Sequence, residues 1–226
     1  MNYEVIKSRH SVRSYTNQPL PTEIRHVLTA LLDECNSNSG LHMQLVCDEP
    51  KAFGSSLLAR YGKFSNVCNY ICMIGKKCSQ TEELLGYYGE KLVLKAQESG
   101  LNTCWVGMSF RKGKIPADIR HDEKLYAVIA IGYGATQGVA HKIKTAKQIC
   151  PEIDSAPEWF RRGVEYALLA PTAVNQQKFR FKWSGENRVE VNSSWGFFSK
   201  MDLGIARLHF ELGAYPIKVE WVQDAN

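Results

Sequence analysis

The sequence predicts an α+β fold, and three observations carry that prediction. Helix-spaced apolar runs alternate with short β-type runs, but the strands are spaced like a mixed sheet and not a regular βαβ series. A chain of 226 residues has room for one large domain or two small ones, and for a real core. Its 44% hydrophobic and 23% charged residues are the balance of an ordinary globular protein.

The elements follow in order. A short apolar start (Tyr3, Val5, Ile6) leads into Ser8-Arg9-His10-Ser11-Val12-Arg13. Pro19 and Pro21 then predict an extended linker, because proline is excluded from helix interiors. Thr22 reads as the N-cap of a helix reaching residue 32, with Ile24, Val27, Leu28, Leu31 and Leu32 on one face. The polar run 35–40 reads as a loop, 41–47 as a strand, 53–60 as a short helix and 67–74 as a buried strand. Residues 81–99 read as the longest helix, and Gly100 fits its left-handed C-terminal cap.

Strands are expected at 103–108 and 126–133, a short turn or helix at 115–118, a turn at 134–138, and an irregular basic stretch at 141–144. The likeliest linker by composition is 151–157, between two prolines. Beyond it the pattern gives a helix at 158–169, a loop at 170–177, and strands at 179–183 and 189–191. A helix at 201–212 capped by Gly213 and a last strand at 217–222 complete the chain.

Two weak echoes suggest an internal duplication. An offset of 137 lays Ala30-Leu31-Leu32 on Ala167-Leu168-Leu169 and Asn38 on Asn175. An offset of 113 lays Gly100 on Gly213, Glu98 on Glu211 and Leu92 on Ile205. The competing reading is that all helix–loop–strand units look alike. The duplication divides the chain into residues 1–150 and a shorter part, 151–226.

Several classes are excluded or disfavoured. The net charge of +5 is mild and is not the dense basic surface of a nucleic-acid binder. No apolar run approaches the roughly 20 residues that span a bilayer. The start Met1-Asn2-Tyr3-Glu4 lacks the regions of an export signal, so a cytoplasmic location and no membrane partner are expected. Seven cysteines, an odd number with no C-x-x-C pair, argue against a complete disulfide framework. Cys68 and Cys72 read as small buried hydrophobes. No histidine stands at metal-ligand spacing, and no metal site is expected.

The candidate chemistry lies in the N-terminal cluster. Arg9 and Arg13 offer planar donor forks that match phosphate oxygens, and His10 and Ser11 add polar groups. The same cluster is also compatible with a solvated charge run. Far downstream, Ala170-Pro171-Thr172-Ala173-Val174-Asn175 is a polar helix-to-strand loop in which Asn175 fits a turn residue.

Together these stretches resemble the nitroreductase family. Its R-x-S-x-R/K motif is similar to Arg9-His10-Ser11-Val12-Arg13, and its A-P-S-x-x-N-x-Q loop to residues 170–177. Its G-L-G-x-x-W-x-G segment is similar to Gly100-Leu101-Asn102-Thr103-Cys104-Trp105-Val106-Gly107, and its strand, turn and basic segment to Ile131-Gly132-Tyr133-Gly134 with Lys142-Ile143-Lys144. In the family the A-P-S-x-x-N loop follows the first helix and two subunits share each flavin. Here the good copy of the loop lies in the second part of the chain. The chain therefore resembles the single-chain branch in which one chain mimics the dimer.

The resemblance implies a nitroreductase-like fold, with a mixed, mostly antiparallel sheet flanked by helices and two pseudo-symmetric halves. It implies FMN as cofactor. Arg9, His10, Ser11 and Arg13 would bind its phosphate side, Lys142 and Lys144 would close over the phosphate, and Pro171, Thr172, Ala173 and Asn175 would approach from the other half. The backbone of Val106, Gly107 and Met108 would run along the flavin ring edge.

The implied activity is a ping-pong oxidoreductase cycle in which NADH or NADPH reduces FMN, and FMN then reduces a small electrophilic acceptor of the nitroaromatic or quinone class. The flavin carries that chemistry, so no catalytic side chain is implied. A monomer acting as a pseudo-dimer is expected. The alternatives are a flavin-binding storage or sensor protein without turnover, and a colourless phosphate- or nucleic-acid-binding module.

Overall fold

A computed structural model describes residues 3–53 and 62–222. The helix expected at 53–60 lies outside the described residues apart from Phe53, which ends a single tight turn, Lys51–Phe53. In chain order the elements are α1 (Tyr3–Ser8), α2 (Thr22–Ser39), β1 (Gln44–Val46), β2 (Tyr70–Lys76), α3 (Thr81–Glu98), β3 (Asn102–Val106) and β4 (Glu123–Gly132). They continue as α4 (Ala146–Ile149), α5 (Glu158–Ala167), β5 (Phe179–Trp183), β6 (Arg188–Ser193), α6 (Ser199–Ala214) and β7 (Glu220–Val222). The fold is α+β, as expected.

The strands form two sheets. The first has the order β1-β2-β4-β3, with every pair antiparallel. The second has the order β5-β6-β7, antiparallel between β5 and β6 and parallel between β6 and β7. Strands β2 and β4 are apolar on both faces because the first sheet is covered on both sides. Tyr70, Cys72, Ile74, Val128 and Ala130 enter one core cluster, while Ile71, Met73, Ala127 and Ile129 alternate into another with Leu85 and Leu92 of α3. The second sheet packs Phe179, Phe181 and Val189 against Phe160 and Val164 of α5 and Phe210 of α6.

Helix α3 meets α6 at unusually close range. A Cβ on Gly86 would lie 2.0 Å from the Met201 carbonyl oxygen, and one on Gly204 would lie 1.9 Å from that of Glu83. Only glycine allows the two backbones to come so near. Side chains reinforce the crossing: Arg207 pairs with Glu83, and the Tyr87 hydroxyl donates to Glu211 over 2.5 Å.

Gly100 closes α3 as expected. It sits at φ 77°, its N–H donates to the Gln97 carbonyl, and the Leu101 N–H donates to that of Ala96. That pair of bonds is a Schellman closure, which satisfies the last carbonyls.

Four expectations are corrected. The run 35–40 is mostly helix, since α2 continues to Ser39 and closes on Gly40 at φ 69°. Polarity misled there, because Cys35 is buried and the Asn36 side chain bonds both the N–H and the carbonyl of Met43. Thr22 is the first residue of α2 and Pro21 is its cap. Gly213 does not cap α6 but lies inside it, where a Cβ would meet the Arg162 carbonyl at 2.6 Å. The echo that equated it with Gly100 therefore fails. Residues 151–157 are no open linker: they carry the turn Ile153–Ser155, and Ile153 and Ala156 are buried in the core. Other observed bounds differ from expectation by a few residues, most at β1 and β7, where pairing covers only three residues each.

The order α-β-β-α-β occurs twice, from α2 to β3 and from α5 to β7.

Candidate functional site

The N-terminal cluster is placed by the sheet. Ser11 makes a parallel bridge with Thr103 at the outer side of β3, and the Val12 N–H donates to the Thr103 carbonyl over 3.0 Å. Tyr15 is buried, and its hydroxyl donates to the Val12 carbonyl at 2.7 Å. The cluster is thus a fixed rim of the first sheet and not a solvated run.

The opposite wall is the loop 170–177. Val174, Asn175 and Gln177 all take positive φ, at 46°, 55° and 44°. A β-branched residue there is a strained outlier, which persists only where surrounding bonds over-determine it. Those bonds are present. The Asn175 amide donates to the Lys142 carbonyl, the Gln177 amide donates to the same carbonyl and to Asn175 Oδ1, and Lys144 Nζ donates to the carbonyls of Gln176 and Gln177.

Between the walls lies one cleft with two lobes, sharing Ser11, Arg13, Pro171, Thr172 and Val174. The deeper lobe holds about 570 Å³ outside atoms, open in part to solvent, and is lined by Trp105, Val106, Gly107, Phe198, Met201 and Asp202 among others. The second lobe holds about 740 Å³ and is basic, with Arg9, His10, Arg13 and His141. Of that space the cavity proper is about 120 Å³ in the deeper lobe and about 300 Å³ in the second, so the second lobe, alone or joined to the first, reaches the ~300–1,000 Å³ usual for a small molecule.

Most of the expected residues meet here: Arg9, His10, Ser11, Arg13, Val106, Gly107, Pro171, Thr172, Ala173 and Asn175 all line the cleft. Three do not. Met108 is exposed outside both lobes. Lys142 and Lys144 also lie outside the lining. Lys144 is spent on loop carbonyls, and Lys142 serves through its backbone oxygen. Both thus support the loop through these bonds.

The electrostatics divide the cleft. Burial pushes the Arg9 guanidinium below its ordinary value, and the nearby Glu90 opposes that shift. Burial, then Arg9, lowers His10; burial lowers His141, whose Nε2 lies 3.1 Å from the Leu168 carbonyl. The Cys104 thiol, almost fully buried, is pushed up by desolvation, with Arg13 and Ser11 opposing. No group of three or more candidate metal ligands occurs among the described residues.

Sequence reasoning missed Phe198 and Asp202. The Phe198 ring packs over Gly107, where a Cβ would meet it at 2.4 Å. Asp202 is 5% exposed; it accepts the Ala173 N–H at 2.9 Å and the Gln176 amide at 2.6 Å, so it anchors the loop to α6. Nothing local marked either residue. An acid in an amphipathic helix reads as surface until the loop is seen to cover it.

Burial raises the Asp202 carboxyl to about 6 from 3.8, against the opposing hydrogen bonds. Its contribution to stability is full below about pH 4 and is lost as pH rises toward 6, a change of ~3 kcal/mol at most. Asp202→Asn is expected to flatten the fall of thermal midpoint across that window relative to the parent. An unchanged slope in the variant contradicts this assignment.

Comparison with known proteins places the chain. A family model described as "Putative TM nitroreductase" matches residues 2–214. A Thermotoga maritima structure of the same description is 23% identical, with a TM-score of 0.66, covering 94% of this chain and 83% of that one. A nitroreductase family protein of Streptococcus pneumoniae is 14% identical, with a TM-score of 0.51, covering 65% of this chain and 96% of that one. A Bacteroides fragilis nitroreductase with bound FMN is 21% identical, with a TM-score of 0.46, over 64% of this chain and 95% of that one. No curated protein matches the sequence.

Proposed function

Because the chain belongs to the nitroreductase family whose model it matches over residues 2–214, we propose that its cleft binds FMN. On this reading the protein is an oxidoreductase that passes electrons from NADH or NADPH to a nitroaromatic or quinone acceptor. The observation that carries the reading is the meeting of Ser11 and Arg13 with Pro171–Val174 across a single cleft, from opposite ends of the chain. The residues present fit the cofactor's chemistry. The basic lobe suits a phosphate, and it holds a buried guanidinium, that of Arg9, whose Nε has no hydrogen-bond partner among the described residues. The deeper lobe, with Trp105, Val106 and Phe198, suits a planar ring.

When bound, the flavin supplies the electron transfer, and the chain supplies binding, orientation and electrostatics. Arg13 is exposed at the join of the lobes and offers a charge-assisted fork to a phosphate. Ser11 and Thr172 line the same join. Phe198 and Met201 keep water from the apolar lobe, while Asp202 holds Ala173 in place. No general base is needed.

A second reading, flavin binding without turnover, is favoured by the Phe198 ring over Gly107, which narrows the lobe. One experiment separates the two. The purified protein is expected to be yellow and to bleach rapidly with NADH or NADPH; a yellow protein that stays oxidised supports storage or sensing, and a colourless one that takes up no FMN defeats both.

We extend the reading to a monomer acting as its own pseudo-dimer, with residues 1–150 and 151–226 as the two halves, since one chain supplies both walls. Sedimentation is expected to give a single-chain mass, and an obligate dimer would count against it. No helix among the described residues is long and apolar enough to cross a membrane; we place the protein in the cytoplasm, which fractionation tests.

A further inference from the structure

Behind the basic lobe lies a buried polar cluster of which the flavin reading uses only Arg9 and Trp105. Glu90 of α3 and His209 of α6 are fully buried, and Arg9 is 3% exposed. Glu90 Oε2 accepts the Trp105 indole N–H at 2.8 Å, and Glu90 Oε1 lies 3.0 Å from His209 Nε2. His209 Nδ1 lies 3.2 Å from the Tyr166 carbonyl oxygen. Arg9 Nε stands 3.9 Å from Glu90 Oε1, inside ion-pair range but beyond a hydrogen bond.

The hydrogen bonds fix the charge count. A carbonyl oxygen only accepts, so His209 Nδ1 carries a proton. Nε2 then meets Glu90 in one of two ways: it donates, as an imidazolium facing a carboxylate, or it accepts from a protonated carboxyl. In either arrangement the charges of the pair sum to zero. The opposite tautomer would set the bare Nδ1 lone pair against the Tyr166 oxygen inside the core, and it alone would leave an ionised Glu90 beside a neutral imidazole to cancel Arg9. A buried guanidinium without that cancellation is costly unless an anion meets it. Among the described residues, the other titratable groups pressing on Arg9 are His10, Cys104 and His141, and Arg13 lines the same lobe.

We propose that His209 keeps Glu90 from neutralising Arg9, so that Arg9 faces the cleft with a full positive charge for the cofactor's anionic group. His209 is on this account a positioning residue that touches neither flavin nor substrate. The inference rests on the FMN reading only for the identity of that anion, a phosphate.

Two measurements test it. In the intact protein, ¹⁵N spectra of the His209 ring are expected to show a protonated Nδ1, and a bare Nδ1 overturns the proposal. In binding titrations, His209→Gln offers Glu90 a neutral donor and frees it to ionise against Arg9. FMN affinity is expected to fall about tenfold or more, a usual size for coupling between sites, while riboflavin, which lacks the phosphate, keeps its affinity. Adding Glu90→Gln to that variant removes the negative charge and is expected to restore FMN binding. Equal losses for FMN and riboflavin, or no rescue, overturn the proposal. If the parent protein binds no FMN, the flavin reading falls instead, and the ring spectra alone decide the His209 assignment.

Discussion

Replacing Arg9 and Arg13 together by alanine is expected to give a folded protein that no longer retains FMN. Both residues line the basic lobe, Arg9 from within the core and Arg13 from the exposed rim. A hydrogen bond to a charged group contributes ~1.5–3 kcal/mol, so losing two weakens binding by about 10²–10⁴-fold. Flavin absorbance per mole of purified chain reads the outcome, with far-ultraviolet circular dichroism as the check on folding. Normal flavin occupancy in the double variant would sink the site. Arg13→Ala alone should act more weakly, because the buried charge of Arg9 remains.

A large loss of stability is expected from a substitution at Gly204. Alanine there would set its Cβ 1.9 Å from the Glu83 carbonyl oxygen, an atom of helix backbone that cannot rotate away. The helices α3 and α6 must separate, and overpacking of this kind costs about 3 kcal/mol. Alanine's better helix propensity returns ~1 kcal/mol, so strain wins by about 2 kcal/mol. For a chain of this size that lowers the thermal midpoint by roughly 4–8 °C. Gly113, where an added Cβ meets nothing within 4 Å, is the control. Equal midpoints for Gly204→Ala and Gly113→Ala would show that the helices do not touch there.

Much of the fold was legible because its signals are local. Strand β5 lies at the expected residues, and β2, β4 and α3 lie within a few residues of expectation, since apolar alternation and helical spacing act over a handful of positions. Gly100 was readable because a left-handed cap needs only its own φ. Gly213 looked the same in sequence and is different in kind: its lack of a side chain answers a neighbour, the Arg162 carbonyl, and not its own backbone. The helical end of α2 was hidden for a similar reason. Its polar residues are satisfied by Met43, which no count of polarity reveals.

The candidate site divides along the same line. The arginine–serine cluster and the loop 170–177 stood out as residue types suited to an anion and a turn, and their resemblance to known motifs joined them before any contact was seen. Their juxtaposition, however, depends on Ser11 bridging Thr103 and on Asp202 holding Ala173. The basic pair Lys142 and Lys144 shows the limit of type without place. Residue type set two cations near a predicted phosphate; it did not show that the strained loop takes the Lys144 ammonium as a donor.

By itself, then, the sequence determined the class of fold, the strong strands, the long helix and the two stretches that carry the cleft. Only the tertiary structure decided which charges face that cleft. Glu90 and His209 stand 119 positions apart on helices that each read as ordinary. Whether a buried carboxylate cancels an arginine depends on a third group within hydrogen-bonding distance. That distance is set by two glycine-permitted helix backbones crossing, and not by any pattern along the chain.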